Sequence, residues 1–104
     1  MKILDSLVDM VRAVHGLAGK VARHDRDLAL QMKRASTSTA LNGSEGIWAN
    51  AGKRRSRLED AVNSARETLM ALRIARACGY LPAAEADAAV AQVDSVIRVL
   101  WVLA

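Results

Sequence analysis

The stretch QMKRASTSTALNGSEG, from Gln31 to Gly46, contains the pattern from which the architecture of the whole chain is predicted. Small side chains let neighbouring helices approach closely, and buried hydroxyl and amide groups need hydrogen-bond partners. We therefore predict the central helix of a bundle, packed closely against helices that take up its polar groups. The alternative is a solvated Ser/Thr-rich loop. The helix prediction rests on one stripe in alternating steps of four and three, which begins apolar and becomes small and polar: Leu28, Met32, Ala35, Thr39, Asn42 and Gly46.

Three further helices are predicted on either side of this one. Apolar residues recur with helical spacing over residues 3–21, again over 58–75, and again from 90 to 103. Gly79 suits the position just past a helix end, and Pro82 suits the first turn of the next helix. The sequence does not define where the central helix ends, because three glycines occur in that region: Gly43, Gly46 and Gly52. Four helices with short connections predict an all-α, antiparallel up-down-up-down four-helix bundle, with residues 1–104 as a single domain.

The composition also favours helices, and it favours self-association. Of the 104 residues, 52% are hydrophobic but only 3% are aromatic, and there is no Phe, which suits close-packed helices better than a sheet. A core so poor in large side chains is modest, so burial between subunits would add stability. We predict a homo-oligomer. Its candidate interface residues are an amide on the central stripe and three apolar side chains beyond the core stripes: Asn42, Met70, Ile74 and Trp101.

The charge of the chain is basic, at +4 from 15 Lys and Arg against 11 Asp and Glu. An acidic partner is therefore plausible, and nucleic acid is the commonest one. For each cation alone, a solvated or ion-paired role is an equal alternative. The densest cluster, residues 53–57, is expected around a turn just before the third helix. The candidate phosphate-binding residues are Lys33, Arg34, Arg54, Arg55, Arg57, Arg66, Arg73 and Arg76.

Motifs for catalysis, metal binding and cofactor binding are missing. The single cysteine, Cys78, forms no intramolecular disulfide, and His15 and His24 are nine residues apart, which does not place two metal ligands on one helix face. There is no glycine-rich phosphate loop, paired-carboxylate motif or nucleophile elbow. No motif positions a histidine to activate the hydroxyls at 36–39. We predict a non-enzymatic protein without a cofactor, metal or catalytic residue.

A membrane location is also not predicted. Acidic Asp5 and Asp9 interrupt the apolar positions near the start of the chain, which is unlike a secretory signal. The longest apolar run, near the C-terminus, is shorter than the roughly 20 residues that a bilayer requires. These observations predict a cytoplasmic protein without membrane contact.

The central stretch also resembles a family signature. Its matching residues are Gln31, Lys33, Arg34, Ala35, Ser38, Asn42, Glu45 and Gly46, and further matches follow at Arg57-Leu58, Ala61, Ser64, Glu67, Leu72-Arg73 and Gly79-Tyr80-Leu81. The pattern is similar to that of small bacterial four-helix-bundle proteins. These include proteins encoded in intervening sequences of large-subunit ribosomal RNA genes and the accessory variability determinants of diversity-generating retroelements. The chain departs from the family pattern at three positions, where isoleucine or alanine is usual: Thr39, Gly43 and Ser44.

The resemblance implies a homopentamer with a basic outer surface or central channel. The Leu72-Arg73 pair and the tryptophan near the C-terminus look more like the retroelement branch, which implies binding to nucleic acid and to a reverse transcriptase. The leading hypothesis is a non-enzymatic accessory protein that binds RNA or DNA through phosphate contacts, resembling the accessory subunit of a retroelement reverse transcriptase. The alternative is a protein-only oligomeric adaptor that binds a partner through apolar helix faces.

Overall fold

Four α-helices account for most of the chain in the computed structural model, which describes residues 2–104. They are α1 (Lys2–Val21), α2 (Arg26–Trp48), α3 (Ala51–Ala77) and α4 (Ala83–Leu103). The described residues contain no strand, so the all-α prediction with four helices is confirmed. The 27 residues of α3 span about 40 Å at 1.5 Å per residue, which matches the longest dimension of 42 Å. Each helix packs against the next along the chain, and α1 also packs, less extensively, against α4.

The helix ends are set by local chemistry. Asp25 caps α2, since its Oδ1 accepts a hydrogen bond of 2.9 Å from the backbone N–H of Leu28. Gly79 follows the end of α3 with φ of +77°, as predicted for the residue past a helix end. There the Tyr80 N–H donates to the Ala75 carbonyl at 2.9 Å, so the exposed carbonyls of the last turn are satisfied by a Schellman motif. Pro82 immediately precedes the first residue of α4 rather than lying in its first turn.

The basic cluster at residues 53–57 lies elsewhere than expected. We predicted a turn and a helix start there, but α3 begins earlier, at Ala51, and is capped by Asn50, whose side chain accepts from the Lys53 N–H. The cluster therefore occupies the first two turns of the helix. Because successive helical residues point about 100° apart, Lys53, Arg54 and Arg57 lie within about 100° of one another around the helix axis, and Arg55 points away from them.

The central stripe lies on α2 and is buried as predicted. Met32, Thr39 and Gly46 are buried, and Asn42 is half-buried. Two hydroxyls on this side bond within their own helix instead of to a neighbouring one: Thr39 Oγ1 donates to the Ala35 carbonyl at 2.8 Å, and Ser36 Oγ to the Lys33 carbonyl at 3.1 Å. Bonds to preceding carbonyls are an alternative that Ser and Thr have in any helix, and the stripe pattern does not distinguish it.

The glycines of α2 allow close approach of its neighbours. A Cβ on Gly46 would lie 2.7 Å from Cγ and 3.2 Å from the backbone N of Leu58, so α3 approaches α2 more closely than any larger residue would permit. At Gly43 a Cβ would lie 3.1 Å from Leu7 Cδ1 and 3.5 Å from Leu100 Cδ2. The space left by the missing side chain is thus filled by leucines from α1 and α4. Both glycines are interior residues of α2, which ends only at Trp48.

The core contains the predicted apolar stripes of all four helices. Its largest fully buried apolar side chains include Met10, Met32, Leu58, Leu72 and Leu100. None of the helices within residues 2–104 is long and apolar enough to cross a membrane. The cytoplasmic location stays a prediction.

Candidate nucleic-acid interface

Five of the eight signature residues of the central stretch line an open surface groove beside α3. Positions 34, 38, 41 and 45 also recur in steps of four and three, so this second side of α2 faces the groove, and Arg57 enters it from α3. The groove has a volume of about 500 Å³. Its lining residues are Lys33, Arg34, Thr37, Ser38, Leu41, Asn42, Glu45 and Arg57. We call this surface the signature groove.

A hydrogen-bond network forms one side of the signature groove. Ser38 Oγ and Ser64 Oγ are 2.9 Å apart and join α2 to α3. Asn42 Nδ2 donates to both the carbonyl and the Oγ of Ser38 at 3.1 Å, as expected for a partly buried amide. Arg57 Nε lies 3.4 Å from Glu45 Oε2 in an exposed ion pair. Lys33 and Arg34 form no ion pair within residues 2–104, so the groove carries three cations and one carboxylate.

Several of the other predicted cations are engaged with acidic side chains. Arg55 Nε lies 2.9 Å from Glu59, and Arg76 Nε lies 2.7 Å from Asp87. Both pairs are exposed, and such pairs typically contribute less than about 1 kcal/mol. A phosphate can therefore compete for these arginines, but it must displace a carboxylate first. Arg73 is exposed and forms no ion pair within residues 2–104.

Arg54 differs from the rest of its cluster because it is half-buried. Its Nε donates to the Leu103 carbonyl at 3.1 Å and its Nη1 to the Ile47 carbonyl at 3.2 Å. These carbonyls belong to the last turns of α4 and α2, where no intrahelical donor remains for them. Arg54 thus ties the C-terminal ends of two helices to the start of α3.

The predicted apolar interface residues are exposed, as their position outside the core stripes indicated. Met70 is 56%, Ile74 43% and Trp101 49% exposed. The contacts of these residues with another subunit stay a prediction.

A second apolar surface was missed in the sequence. Leu30, Leu41 and Trp48 are exposed along the outward side of α2, and Val8 of α1 lines a groove with Leu41. Positions 30, 34, 37, 41, 44 and 48 follow the same four-three spacing as the buried stripe, so the signal was present. Arg34, Thr37 and Ser44 interrupt its apolar character, which concealed it.

The structure also brings a histidine to the hydroxyl cluster. His15 Nε2 lies 3.1 Å from Thr37 Oγ1 and 3.3 Å from the Lys33 carbonyl. The Lys33 carbonyl can only accept a hydrogen bond, whereas the direction of the bond with Thr37 depends on the tautomer of the imidazole ring. The contact links α1 to α2. Within residues 2–104, no group of three or more His, Cys, Asp or Glu side chains is placed to hold a metal ion.

The four-helix fold and the basic signature groove define a small all-helical protein without a recognisable catalytic constellation among its described residues. Residues 1–101 match the family of 23S rRNA-intervening sequence proteins, and the chain belongs to this family. Comparison with curated proteins finds no match. A crystal structure of a protein with unknown function from the S23 ribosomal protein family of Bacteroides thetaiotaomicron is similar, with a TM-score of 0.87 and 17% sequence identity over 94% of each chain. At this identity the likeness concerns the fold alone.

Proposed function

We propose that this protein is a non-enzymatic, nucleic-acid-binding protein that contacts the sugar-phosphate backbone through the signature groove. The observation that carries the proposal is the convergence of Lys33 and Arg34, both without an ion-pair partner in residues 2–104, with hydroxyl and amide side chains in one open groove. Membership of the rRNA-intervening sequence family supports RNA as the first ligand to test.

The chemistry of the groove suits phosphate. Backbone contacts in nucleic-acid complexes come from Lys and Arg together with Ser, Thr and Asn side chains. The signature groove contains each of these types, with Thr37, Ser38 and Asn42 beside the two free cations. The Arg57–Glu45 ion pair is exposed, so Arg57 can add a third contact when a phosphate replaces Glu45.

Self-association is part of the proposal. Nine large apolar side chains of the described residues are exposed, and a multimer would cover some of them. The number of subunits, five by family resemblance, stays a prediction. We also propose the up-down-up-down antiparallel order. Two contacts between α1 and α2 support it. Leu7, near the start of α1, lies against Gly43, near the end of α2, and His15, later in α1, lies against Thr37, in the middle of α2.

The two other functions considered from the sequence have no specific observation in their favour. The reverse-transcriptase accessory role rests only on the resemblance to the retroelement branch. The protein-only adaptor rests on exposed apolar side chains, which self-association explains equally well. Both stay predictions.

The proposal is tested with Lys33→Ala/Arg34→Ala in a filter-binding titration of RNA and DNA across a salt series. Each phosphate contact contributes roughly 0.7 to 0.9 to the slope of log affinity against log salt. Loss of both cations should therefore lower the magnitude of that slope by roughly 1.4 to 1.8. The matched control is Lys2→Ala/Arg23→Ala, which removes the same charge from exposed positions on α1 and after it.

If the control lowers the slope as much as the groove variant does, net charge rather than the signature groove drives binding. If the unmodified protein binds neither RNA nor DNA, the proposed function is wrong.

A further inference from the structure

A second surface with cationic and aromatic side chains lies on α3 and α4. The guanidinium carbon of Arg66 stands 5.7 Å from the centre of the Trp101 ring, within cation–π distance. Trp101 is 49% exposed. Arg66 follows Arg57 by nine residues, which is two and a half helical turns, so this surface faces away from the signature groove.

Two more residues extend this surface along α3. Met70 lies one turn beyond Arg66 and is 56% exposed. Arg73 lies two turns beyond Arg66, about 10.5 Å along the helix axis. An exposed methionine provides a flexible, polarisable contact for planar groups. The surface thus places an aromatic ring, a thioether and two guanidinium groups in one row.

The charge of this row is positive because nearby carboxylates are already paired. Glu59, Asp87 and Asp94 bind Arg55, Arg76 and Arg98, respectively. Arg66 and Arg73 form no ion pair within residues 2–104. Glu67 is exposed but points about 100° away from Arg66 around the helix. The two arginines are therefore available to an anionic ligand.

We propose that Arg66 and Trp101 stack against an unpaired base of a single-stranded nucleic acid, with Met70 beside it and Arg73 on a neighbouring phosphate. The proposal rests on the proposed function and adds the class of nucleic acid. Every base has a π-face that stacks on aromatic rings and guanidinium planes. In a duplex those faces are covered by neighbouring base pairs, so a stacking surface selects single strands.

A protein interface fits this surface less well. Met70, Ile74 and Trp101 are apolar, but an apolar partner would bury Arg66 and Arg73 without counter-charges. Burial of unpaired charges is costly, so a protein partner would have to supply a carboxylate to each of the two arginines. A phosphate backbone supplies the missing charge.

The experiment compares a 12-nucleotide oligothymidine with a 12-unit abasic strand of the same charge. The full chain should bind oligothymidine about tenfold more tightly, since stacking on one aromatic side chain is worth about that factor or more. Trp101→Leu should remove this difference, and Trp101→Phe should keep most of it. The control Trp48→Leu, at an exposed tryptophan on α2, should leave it unchanged. In Trp48→Phe protein, oligothymidine but not the abasic strand should quench the fluorescence of Trp101.

Each contrary result has a separate meaning. Equal affinity of the full chain for both strands overturns the stacking proposal and leaves backbone binding in place. No affinity for either strand overturns the proposed function and this inference together. If Trp101→Leu lowers the affinity for both strands equally and also lowers the mass of the assembly, Trp101 acts in a subunit interface and the stacking proposal is wrong.

Discussion

Arg54 shows how one residue of a charge cluster can differ from its neighbours. Arg55 and Arg57 extend into solvent and pair with Glu59 and Glu45, whereas Arg54 is half-buried against two backbone carbonyls. Hydrogen bonds from a charged donor to otherwise unpaired carbonyls stabilise a fold more than exposed ion pairs do. The basic cluster thus combines a structural residue with solvent-facing ones.

Arg54→Ala should therefore lower the free energy of unfolding by about 1 to 2 kcal/mol, because the carbonyls of Ile47 and Leu103 lose their donor. The measurement is the urea midpoint at fixed protein concentration. Arg55→Ala is the matched control in the same cluster and should cost about 0.5 kcal/mol or less. Equal losses in the two variants would show that the Arg54 hydrogen bonds contribute little to stability.

At the scale of the helices, the contact between α2 and α3 depends on a missing side chain. Gly46 sits against Leu58, with its Cα close enough that even a methyl group would overlap the leucine. The Ser38–Ser64 hydrogen bond joins the same two helices about two turns away along α2. Close packing and this hydrogen bond together hold α2 and α3 in the relation that opens the signature groove.

Gly46→Ala should destabilise the protein by about 1 to 3 kcal/mol, since the added Cβ would lie 2.7 Å from Leu58 Cγ and α3 would have to shift. Chemical denaturation measures this loss of stability. The slope of log nucleic-acid affinity against log salt, measured for the Gly46→Ala protein, reports whether the signature groove changes as well. Gly16→Ala is the control: it is also interior to a helix, but a Cβ there meets nothing within 4 Å. The free energy of unfolding of that variant should rise by up to about 1 kcal/mol, because Ala has a higher helix propensity than Gly. A Gly46→Ala protein as stable as Gly16→Ala would contradict the close approach of α3.

At the scale of the whole molecule, the proposed self-association requires an exposed apolar surface, and two are candidates. Leu30, Leu41 and Trp48 form a stripe that runs 18 positions along α2, about 27 Å, as in the contact between two packed helices. Met70 and Ile74 are only one turn apart and lie near the unpaired Arg66 and Arg73. The longer stripe offers more apolar contact, and its positions include one cation without an ion pair in residues 2–104, Arg34, against the two beside Met70 and Ile74. Because Arg34 and Leu41 also line the signature groove, a subunit packed on this stripe would border that groove.

We expect light scattering at micromolar concentration to give several times the chain mass of 11.2 kDa. Leu41→Glu/Trp48→Glu should reduce this mass because each subunit would bring two carboxylates into the contact along this stripe. Met70→Glu/Ile74→Glu introduces the same charge on α3 and should leave the mass unchanged. The reverse result would assign the interface to Met70 and Ile74, as predicted from the sequence. A monomer mass for the unmodified chain would contradict self-association altogether.

Residue patterns by themselves determined the four helices and most of their buried sides. A stripe in steps of four and three has only one physical meaning in a helix, since it places its residues on one side. Gly79 lies just past a helix end, where the closing hydrogen bond joins residues only a few positions apart, so its role was also predicted from local sequence. The start of α3 was not predicted correctly, because Asn50 and Ala51 carry a weaker signal than the charged cluster that follows them.

Only the tertiary structure decided which polar and charged groups are free. Arg54 and Arg66 look equivalent in the sequence, but their neighbours, Leu103 and Trp101, come from α4 and lie 35 or more positions away along the chain. The same is true of Ser38 and Ser64, which meet across two helices. Ion pairs, stacking and cross-helix hydrogen bonds depend on distances between elements, and helical periodicity specifies only the side of each element. The signature groove and the Arg66–Trp101 surface therefore appear only when the helices are packed together.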